Sequence, residues 1–144
     1  MRPVLLLAAV ALIAGCDVFP GTPEPERTRV PGVLVTGDAS TPTIRVLDQI
    51  RVGVPVRITV MTQSLPCNEQ GDTEVEFVDG AVEIRPYDVT VVYDPVRFCT
   101  AEEKPDFPHT VSVTFPDVGP LLVRAIGATY EGTPQVRELG IVVR

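Results

Sequence analysis

Three cysteines and a single histidine carry the most reactive side chains of this sequence. To act as a general base, His109 would need a nucleophile and an orienting carboxylate nearby. None of the three serines lies in a Gly-x-Ser-x-Gly turn, and Ser112, three positions along the same predicted strand, points to the opposite face. The sequence has no glycine-rich phosphate loop, no HExxH motif and no Cys-x-x-Cys motif. We therefore interpret His109 as a surface residue without a catalytic role, and expect neither enzyme activity nor a cofactor.

The first sixteen residues have the composition of an export leader. Arg2 gives a short positive region, and residues 4–14 form an apolar run of eleven, fewer than the ~20 residues needed to cross a bilayer. The run ends in Ile13-Ala14-Gly15-Cys16, which resembles the lipobox of bacterial lipoproteins. This resemblance implies cleavage before Cys16, a diacylglyceryl thioether on that cysteine and often a further acyl chain, such as palmitate, on the new amino terminus. An ordinary secretory signal with a chance cysteine is the alternative.

The leader also predicts the domain organisation and the location. We assign residues 1–15 to the signal peptide, residues 16–29 to the lipidated cysteine and a proline-rich tether, and residues 30–144 to one folded domain. Two or three acyl chains would hold the protein stably at a membrane of the cell envelope. Asp17 resembles the inner-membrane retention signal of some Gram-negative lipoproteins, so we favour the inner membrane, with the outer membrane as the alternative.

The charge of the chain excludes one class of partner. The formal net charge is −7, and loss of Arg2 with the leader leaves 11 basic against 19 acidic side chains. Such an acidic surface repels phosphate backbones, so we expect no nucleic-acid partner. The partners that we do expect are the membrane, through the lipid, and an unidentified envelope protein.

Lipidation of Cys16 would leave Cys67 and Cys99 as a pair in an oxidising compartment, where a disulfide is the simplest outcome. Closing this span of about 32 residues would stabilise the fold by roughly 3–4 kcal/mol in the chain-entropy model. A metal site is the alternative, and two distant cysteines without nearby histidines fit it poorly.

The disulfide would also bring two acidic loops together. Calcium requires six to eight oxygen ligands, which flexible carboxylate-rich loops can supply. We therefore consider a weak Ca²⁺ site or an acidic contact surface at this end of the domain, with a solvated acidic rim as the simpler interpretation. The carboxylates concerned are Glu69, Asp72, Glu102, Glu103 and Asp106.

From Val30 onward the sequence predicts short strands. Valine outnumbers leucine by 23 to 6 after the leader, and fourteen prolines are spread through the same part of the chain, which disfavours helices. Apolar and polar residues alternate over residues 54–61, 74–77, 82–85, 89–93 and 110–115, and Asp79-Gly80 is a strong hairpin signal. About eight or nine strands at this spacing are typical of a sandwich or barrel.

Residues 109–127, HTVSVTFPDVGPLLVRAIG, resemble a hairpin found in many bacterial immunoglobulin-like domains. The resemblance implies an immunoglobulin-like antiparallel β-sandwich of about seven to nine strands, with a small β-barrel as the alternative. The chain departs from the antibody pattern because it has no tryptophan, and its two cysteines lie in predicted loops.

The expected function is therefore non-enzymatic: a membrane-anchored lipoprotein that presents a β-sandwich for protein–protein interaction or envelope assembly. A module that binds a small molecule or Ca²⁺ is the second class, and it requires a concave pocket with convergent polar groups. An enzyme is the third class, and it requires His109 to face a cleft that contains carboxylates.

Overall fold

The computed structural model describes residues 24–37, 42–92, 99 and 105–144. These residues form eight β-strands and no helix. The strands are β1 (Glu26–Pro31), β2 (Ile44–Val46), β3 (Pro55–Thr62), β4 (Asn68–Val78), β5 (Ala81–Val92), β6 (Phe107–Thr114), β7 (Gly119–Ala128) and β8 (Pro134–Val143).

The strands form two sheets packed as a sandwich. The large sheet has the order β1-β5-β7-β8, with β4 on the other side of β5, and the small sheet has the order β2-β3-β6. The predicted all-β sandwich and strand number are confirmed, and the described strands do not close into a barrel. One pairing, β5 with β7, is parallel, so the large sheet is mixed rather than purely antiparallel.

The core lies between the two sheets and consists mainly of β-branched side chains at alternating positions. Period-two alternation places these residues on the inner faces of both sheets. Its members are Leu34, Ile44, Val56, Ile58, Val60, Val82, Ile84, Val113, Phe115, Val123, Ala125, Ile141 and Val143.

The β4–β5 hairpin forms where the sequence predicts it. Val78 pairs with Ala81, and the two turn residues, Asp79 and Gly80, have φ values of 48° and 75°. Positive φ at both central positions matches the right-handed twist of the flanking strands, which is why Asp-Gly is favoured there.

The second predicted hairpin, over residues 109–127, is wrong. β6 pairs with β3 in the small sheet, whereas β7 pairs with β5 and β8 in the large sheet. The chain therefore crosses the sandwich between them, and Phe115, which is fully buried, lies at this crossing with its ring edge-on to Phe77. The proline and glycine of this segment mark a change of direction without specifying that the flanking strands pair.

The domain begins earlier than predicted. β1 starts at Glu26, so residues 26–29 belong to the large sheet and not to the tether. The arginines of this segment lie on the outer face of the sheet: Arg29 forms an ion pair with Asp72 on β4 and lies 3.3 Å above the ring of Tyr87 on β5.

After β1 the chain leaves the large sheet at Gly32. The Gly32 amide donates to Pro86 in β5, while its carbonyl accepts from Ala128 in β7. Two residues later, Leu34 forms a bridge to Thr62 in β3. This segment therefore links the two sheets at one end of the sandwich.

Candidate functional site

Three polar side chains occupy inward positions at the end of the sandwich where the segment around Gly32 links the two sheets. Thr62 lies in β3, two residues beyond the buried Val60, and His109 in β6 pairs directly with Val60. Asp88 lies in β5, two residues beyond the buried Pro86. Because strand side chains alternate, all three continue the inward-facing stripe of their strand. Each of the three is at most 1% exposed.

A continuous set of hydrogen bonds joins these residues across the two sheets. His109 Nε2 lies 3.1 Å from Asp88 Oδ1 and 3.1 Å from Thr62 Oγ1. The Thr62 hydroxyl donates to Asp88 Oδ1 at 3.4 Å, and the other ring nitrogen, His109 Nδ1, lies 2.9 Å from Thr73 Oγ1 on β4. We call Thr62, Thr73, Asp88 and His109 the polar cluster.

The geometry fixes the orientation of the histidine ring. An ionised Asp88 requires the Nε2–H of His109 to point at its carboxylate. Thr73 then donates to Nδ1 when the ring is neutral and accepts from it when the ring is protonated. The second carboxylate oxygen, Asp88 Oδ2, is buried without a hydrogen-bond partner in the described residues.

The chain of bonds from Thr73 through His109 to Asp88 has the connectivity of a nucleophile–base–carboxylate relay. The exposed fraction of the His109 side chain is 0%, and that of the Asp88 side chain is 1%. Thr73, at the start of this chain of bonds, is half-buried on β4, whereas His109 and Asp88 are enclosed between the two sheets. We interpret the polar cluster as a structural connection between the sheets.

The prediction that His109 is a surface residue is therefore wrong, and the sequence reasoning also missed Asp88 and Thr62. The signal was present: Val111 and Val113 predict an inward face, and two residues before Val111 that face is occupied by His109. The predicted opposite orientation of Ser112, which is exposed, is consistent with the structure.

Gly32 lies tightly against the polar cluster. A Cβ atom at this position would be 2.5 Å from Thr62 Cγ2 and 3.2 Å from Asp88 Oδ2. The two neighbours of Gly32, Pro31 and Val33, line a surface groove, so Gly32 lies between that groove and the buried bonds. This close approach is why glycine suits the position.

We call this surface feature the rim groove. Its volume is about 660 Å³, and it lies between β1, the β3–β4 loop and the β7–β8 turn. Its lining is mainly apolar and includes Val30, Pro31, Leu65, Pro66, Ala128 and Tyr130. The Tyr130 side chain is 74% exposed, so an amphipathic aromatic residue lies open at the groove.

Polar groups at the rim groove hold its wall in place. The Thr90 hydroxyl donates to Asn68 Oδ1 at 3.1 Å, and the Asn68 amide donates to the carbonyl of Leu65. Next to them, Cys67 has a φ of 63°, its carbonyl accepts from Val91, and its sulfur is bonded to that of Cys99, as the sequence predicts. The disulfide therefore ties the β3–β4 loop to the segment after β5.

Of the five predicted calcium ligands, two are engaged in ion pairs, two lie outside the described residues, and one lies just before β6. Glu69 is paired with Arg27, and Asp72 accepts two hydrogen bonds from Arg29 at 2.8 Å. Glu102 and Glu103 lie outside the described residues, whereas Asp106 is half-buried just before β6. Among residues whose placement is described, no group of three or more His, Cys, Asp or Glu side chains could hold a metal ion.

The Asp72–Arg29 pair has a clear electrostatic consequence. Hydrogen bonds from the Arg29 guanidinium hold the pKa of the Asp72 carboxyl below its usual value. Hydrogen bonds to Asp72 and Glu74 in turn raise the pKa of Arg29 above its usual value. Both groups therefore remain charged over the ordinary pH range.

Ion pairs cover the outer face of the large sheet. A first row crosses β4, β5, β7 and β8, and it is formed by Glu76, Arg85, Glu83, Arg124 and Glu138. A second row joins β1 to β4 across Tyr87. Every arginine in these two rows has a carboxylate partner, and the six carboxylates outnumber the four arginines.

The residues that carry the predicted membrane anchor, Cys16 and Asp17, lie outside the described part of the chain. Within the ranges that are described, no helix is long and apolar enough to cross a bilayer.

Comparisons of the chain with protein-family models, with curated proteins and with solved structures gave no match.

Proposed function

We propose that this protein is a lipid-anchored lipoprotein of the bacterial cell envelope whose β-sandwich binds another envelope protein through the rim groove. The proposed task is recognition rather than catalysis. The anchor rests on the lipobox-like segment that ends at Cys16, and the binding surface rests on the structure of the rim.

The observation that carries this proposal is the shape and chemistry of the rim groove. It is a concave, mainly apolar surface formed by three separate segments of the chain, and the Tyr130 ring lies exposed beside it. Tyrosine is enriched at protein interfaces because it contributes a large apolar area together with a hydroxyl that tolerates water.

The position of the rim supports a partner close to the membrane. β1 begins at the end of the large sheet where Glu26 pairs with Val92, and the rim groove lies at this same end. Residues 17–25 would then connect the lipid to the groove end, with a reach of roughly 28 Å at ~3.1 Å per residue. The tether would keep the groove near the bilayer surface.

Site-specific photo-crosslinking in the native host tests the binding surface. We expect Tyr130→p-benzoylphenylalanine to yield one defined adduct with an envelope protein. Leu47→p-benzoylphenylalanine is the matched control, because Leu47 is 76% exposed and lies outside the groove. Adducts of equal yield from both positions, or none from position 130, would overturn the proposal.

A second experiment shows whether formation of the crosslinked adduct depends on the apolar lining of the rim groove. Pro66→Asp places a charge in the apolar lining and should lower the adduct yield at least tenfold, whereas Val118→Asp, at an exposed position elsewhere, should leave it unchanged. The anchor is tested separately: Cys16→Ser should move the protein from the membrane fraction to the soluble fraction. Unchanged membrane retention would refute the lipid anchor.

The volume of the rim groove supports one alternative, a small apolar ligand, since pockets for such ligands span about 300–1,000 Å³. Native mass spectrometry of protein purified from its host distinguishes the two functions. A bound small molecule that is lost in Pro66→Asp would favour the ligand, and a ligand-free mass would favour the protein partner. Calcium is less favoured, because binding by Glu69 and Asp72 would have to break their pairs with Arg27 and Arg29.

A further inference from the structure

The hydrogen-bond register of β1 determines which backbone groups face its open side. Gly32 donates to the carbonyl of Pro86, and the register pairs Val30 with Asp88 and Thr28 with Thr90. In an antiparallel pair, every second residue directs both its N–H and its C=O to the neighbouring strand. Thr28 and Val30 therefore bond to β5, and the backbone groups of Arg27 and Arg29 point the other way.

No described strand lies on that other side of β1. β7 occupies the equivalent edge only along the first half of β5, where Ala81 to Ile84 pair with Leu122 to Ala125. The boundary is at Gly32, whose carbonyl accepts from Ala128. On the N-terminal side of Gly32, along β1 itself, no described strand pairs with this edge. The β7–β8 turn with Tyr130 lies beside it.

The open edge and the rim groove form one continuous surface. Val30 and Pro31 belong both to β1 and to the lining of the groove. A strand placed along β1 would therefore direct every second side chain towards Val30 and Leu65. Strand addition uses backbone bonds for affinity and apolar pockets for alternate side chains.

The charge around this surface is negative and uncompensated. Glu24, Glu26 and Glu131 are exposed, and none of them has an ion pair within the described ranges. Glu131 lies in the β7–β8 turn directly after Tyr130, and Glu26 begins β1. The basic side chains of β1, Arg27 and Arg29, are already engaged by carboxylates of β4. A bound segment would therefore gain from basic residues.

We propose that the rim groove binds an extended segment of its partner, apolar at alternate positions and flanked by lysine or arginine, which adds as a strand to the open edge of β1. This inference rests on the proposed function and specifies the chemistry of the partner. The acidic rim would select the basic flanks, and the backbone of Arg27 and Arg29 would bond to the segment.

A pair of substitutions at one position isolates the backbone contribution. Arg29→Pro removes an N–H that faces the open edge and leaves the bonds to β5 in place, as proline does on edge strands. Arg29→Ala removes the same side chain and keeps the N–H. Both variants lose the ion pairs to Asp72 and Glu74, so their difference reports the amide together with the fixed φ of proline. Arg27→Pro and Arg27→Ala provide a second pair if Arg29→Pro fails to fold.

The probe is a synthetic peptide of alternating valine and threonine, eight residues long, with two lysines at each end. We expect it to bind the domain by isothermal titration calorimetry and to slow hydrogen exchange at the Arg27 and Arg29 amides. Arg29→Pro should bind it at least tenfold more weakly than Arg29→Ala. The same peptide with glutamates at its ends should bind at least tenfold more weakly than the lysine peptide at low salt.

Equal affinity of the proline and alanine variants, or unchanged exchange at both amides, would overturn strand addition. Equal affinity of the lysine and glutamate peptides would overturn the basic specificity. Neither result affects the crosslink at position 130, which tests the proposed function. If the crosslink at position 130 persists and the proline variants bind the peptide as well as the alanine variants do, strand addition is rejected. Binding of the partner at the rim groove is then retained.

Discussion

His109 and Asp88 are joined through the interior of the sandwich, with 3.1 Å between Nε2 of the imidazole and Oδ1 of the carboxylate. The histidine belongs to β6 in the small sheet, and the aspartate belongs to β5 in the large sheet. Each sheet therefore contributes one partner of this bond. The bond fixes the relative position of the two sheets at the end where the rim groove lies.

Removal of one partner should be more costly than replacement of both. Asp88→Ala leaves His109 and Thr62 buried without their acceptor, and a buried donor left unsatisfied costs about 1–3 kcal/mol. The double variant Asp88→Val with His109→Leu removes the carboxylate and the imidazole together and should lose less than the single variant. Urea denaturation followed by circular dichroism measures both free energies of unfolding. A loss below about 1 kcal/mol for Asp88→Ala would contradict the structural role of the cluster.

Gly32 should tolerate no side chain. In Gly32→Ala the new Cβ would meet Thr62 Cγ2 at 2.5 Å, and overpacking of this kind costs about 1–3 kcal/mol. Gly140→Ala in β8 is the matched control, because a Cβ there meets nothing within 4 Å. Thermal denaturation should give a clearly lower Tm for Gly32→Ala and a Tm within a few degrees of the parent for Gly140→Ala. The idea that Gly32 packs tightly on the cluster fails if the two Tm values agree.

Local signals predicted the parts of the fold that depend on local physics. The Asp79-Gly80 turn was predictable because few other residue pairs accept two positive φ values, and the turn then determines the register of β4 and β5. The arrangement of the two strands that flank residues 116–118 was not predictable, because the same turn residues suit both a hairpin and a crossing between sheets. Only the pairing of β6 with β3 and of β7 with β8 distinguishes the two.

The polar cluster could not be predicted from residue type alone. Aspartate is mostly exposed in proteins and histidine is intermediate, so residue type does not indicate that His109 and Asp88 face inward. The rim groove requires residues from β1, the β3–β4 loop and the β7–β8 turn to meet. Their proximity follows from sheet order, on which the spacing of apolar residues gives no information.

Asp72 should make the domain less stable in acid. In the folded state, hydrogen bonds from Arg29 lower the pKa of the Asp72 carboxyl below the ordinary value of 3.8. Around and below that pH, the unfolded chain therefore binds more protons at Asp72 than the folded chain does. This contribution to stability is complete above that value and is lost as the pH falls through the folded pKa. Asp72→Asn should flatten the fall in unfolding free energy between about pH 4 and pH 2, whereas Asp117→Asn, at an exposed position outside the ion-pair rows, is the control. Parallel pH profiles for Asp72→Asn and the parent would disprove the linkage.

Loss of the disulfide should affect both stability and the rim groove. Cys67 and Cys99 are 32 residues apart in sequence, and closing a loop of this length stabilises a fold by roughly 3–4 kcal/mol in the chain-entropy model. The bond also adjoins Leu65 and Pro66, which form one wall of the groove. The Cys67→Ser, Cys99→Ser double variant should therefore unfold at lower urea concentration and give a weaker crosslink from position 130. Dithiothreitol should lower the stability of the parent and leave the double variant unchanged. A parent protein that is equally stable with and without the reductant, once free thiol titration has confirmed reduction, would show that the disulfide contributes nothing to the fold.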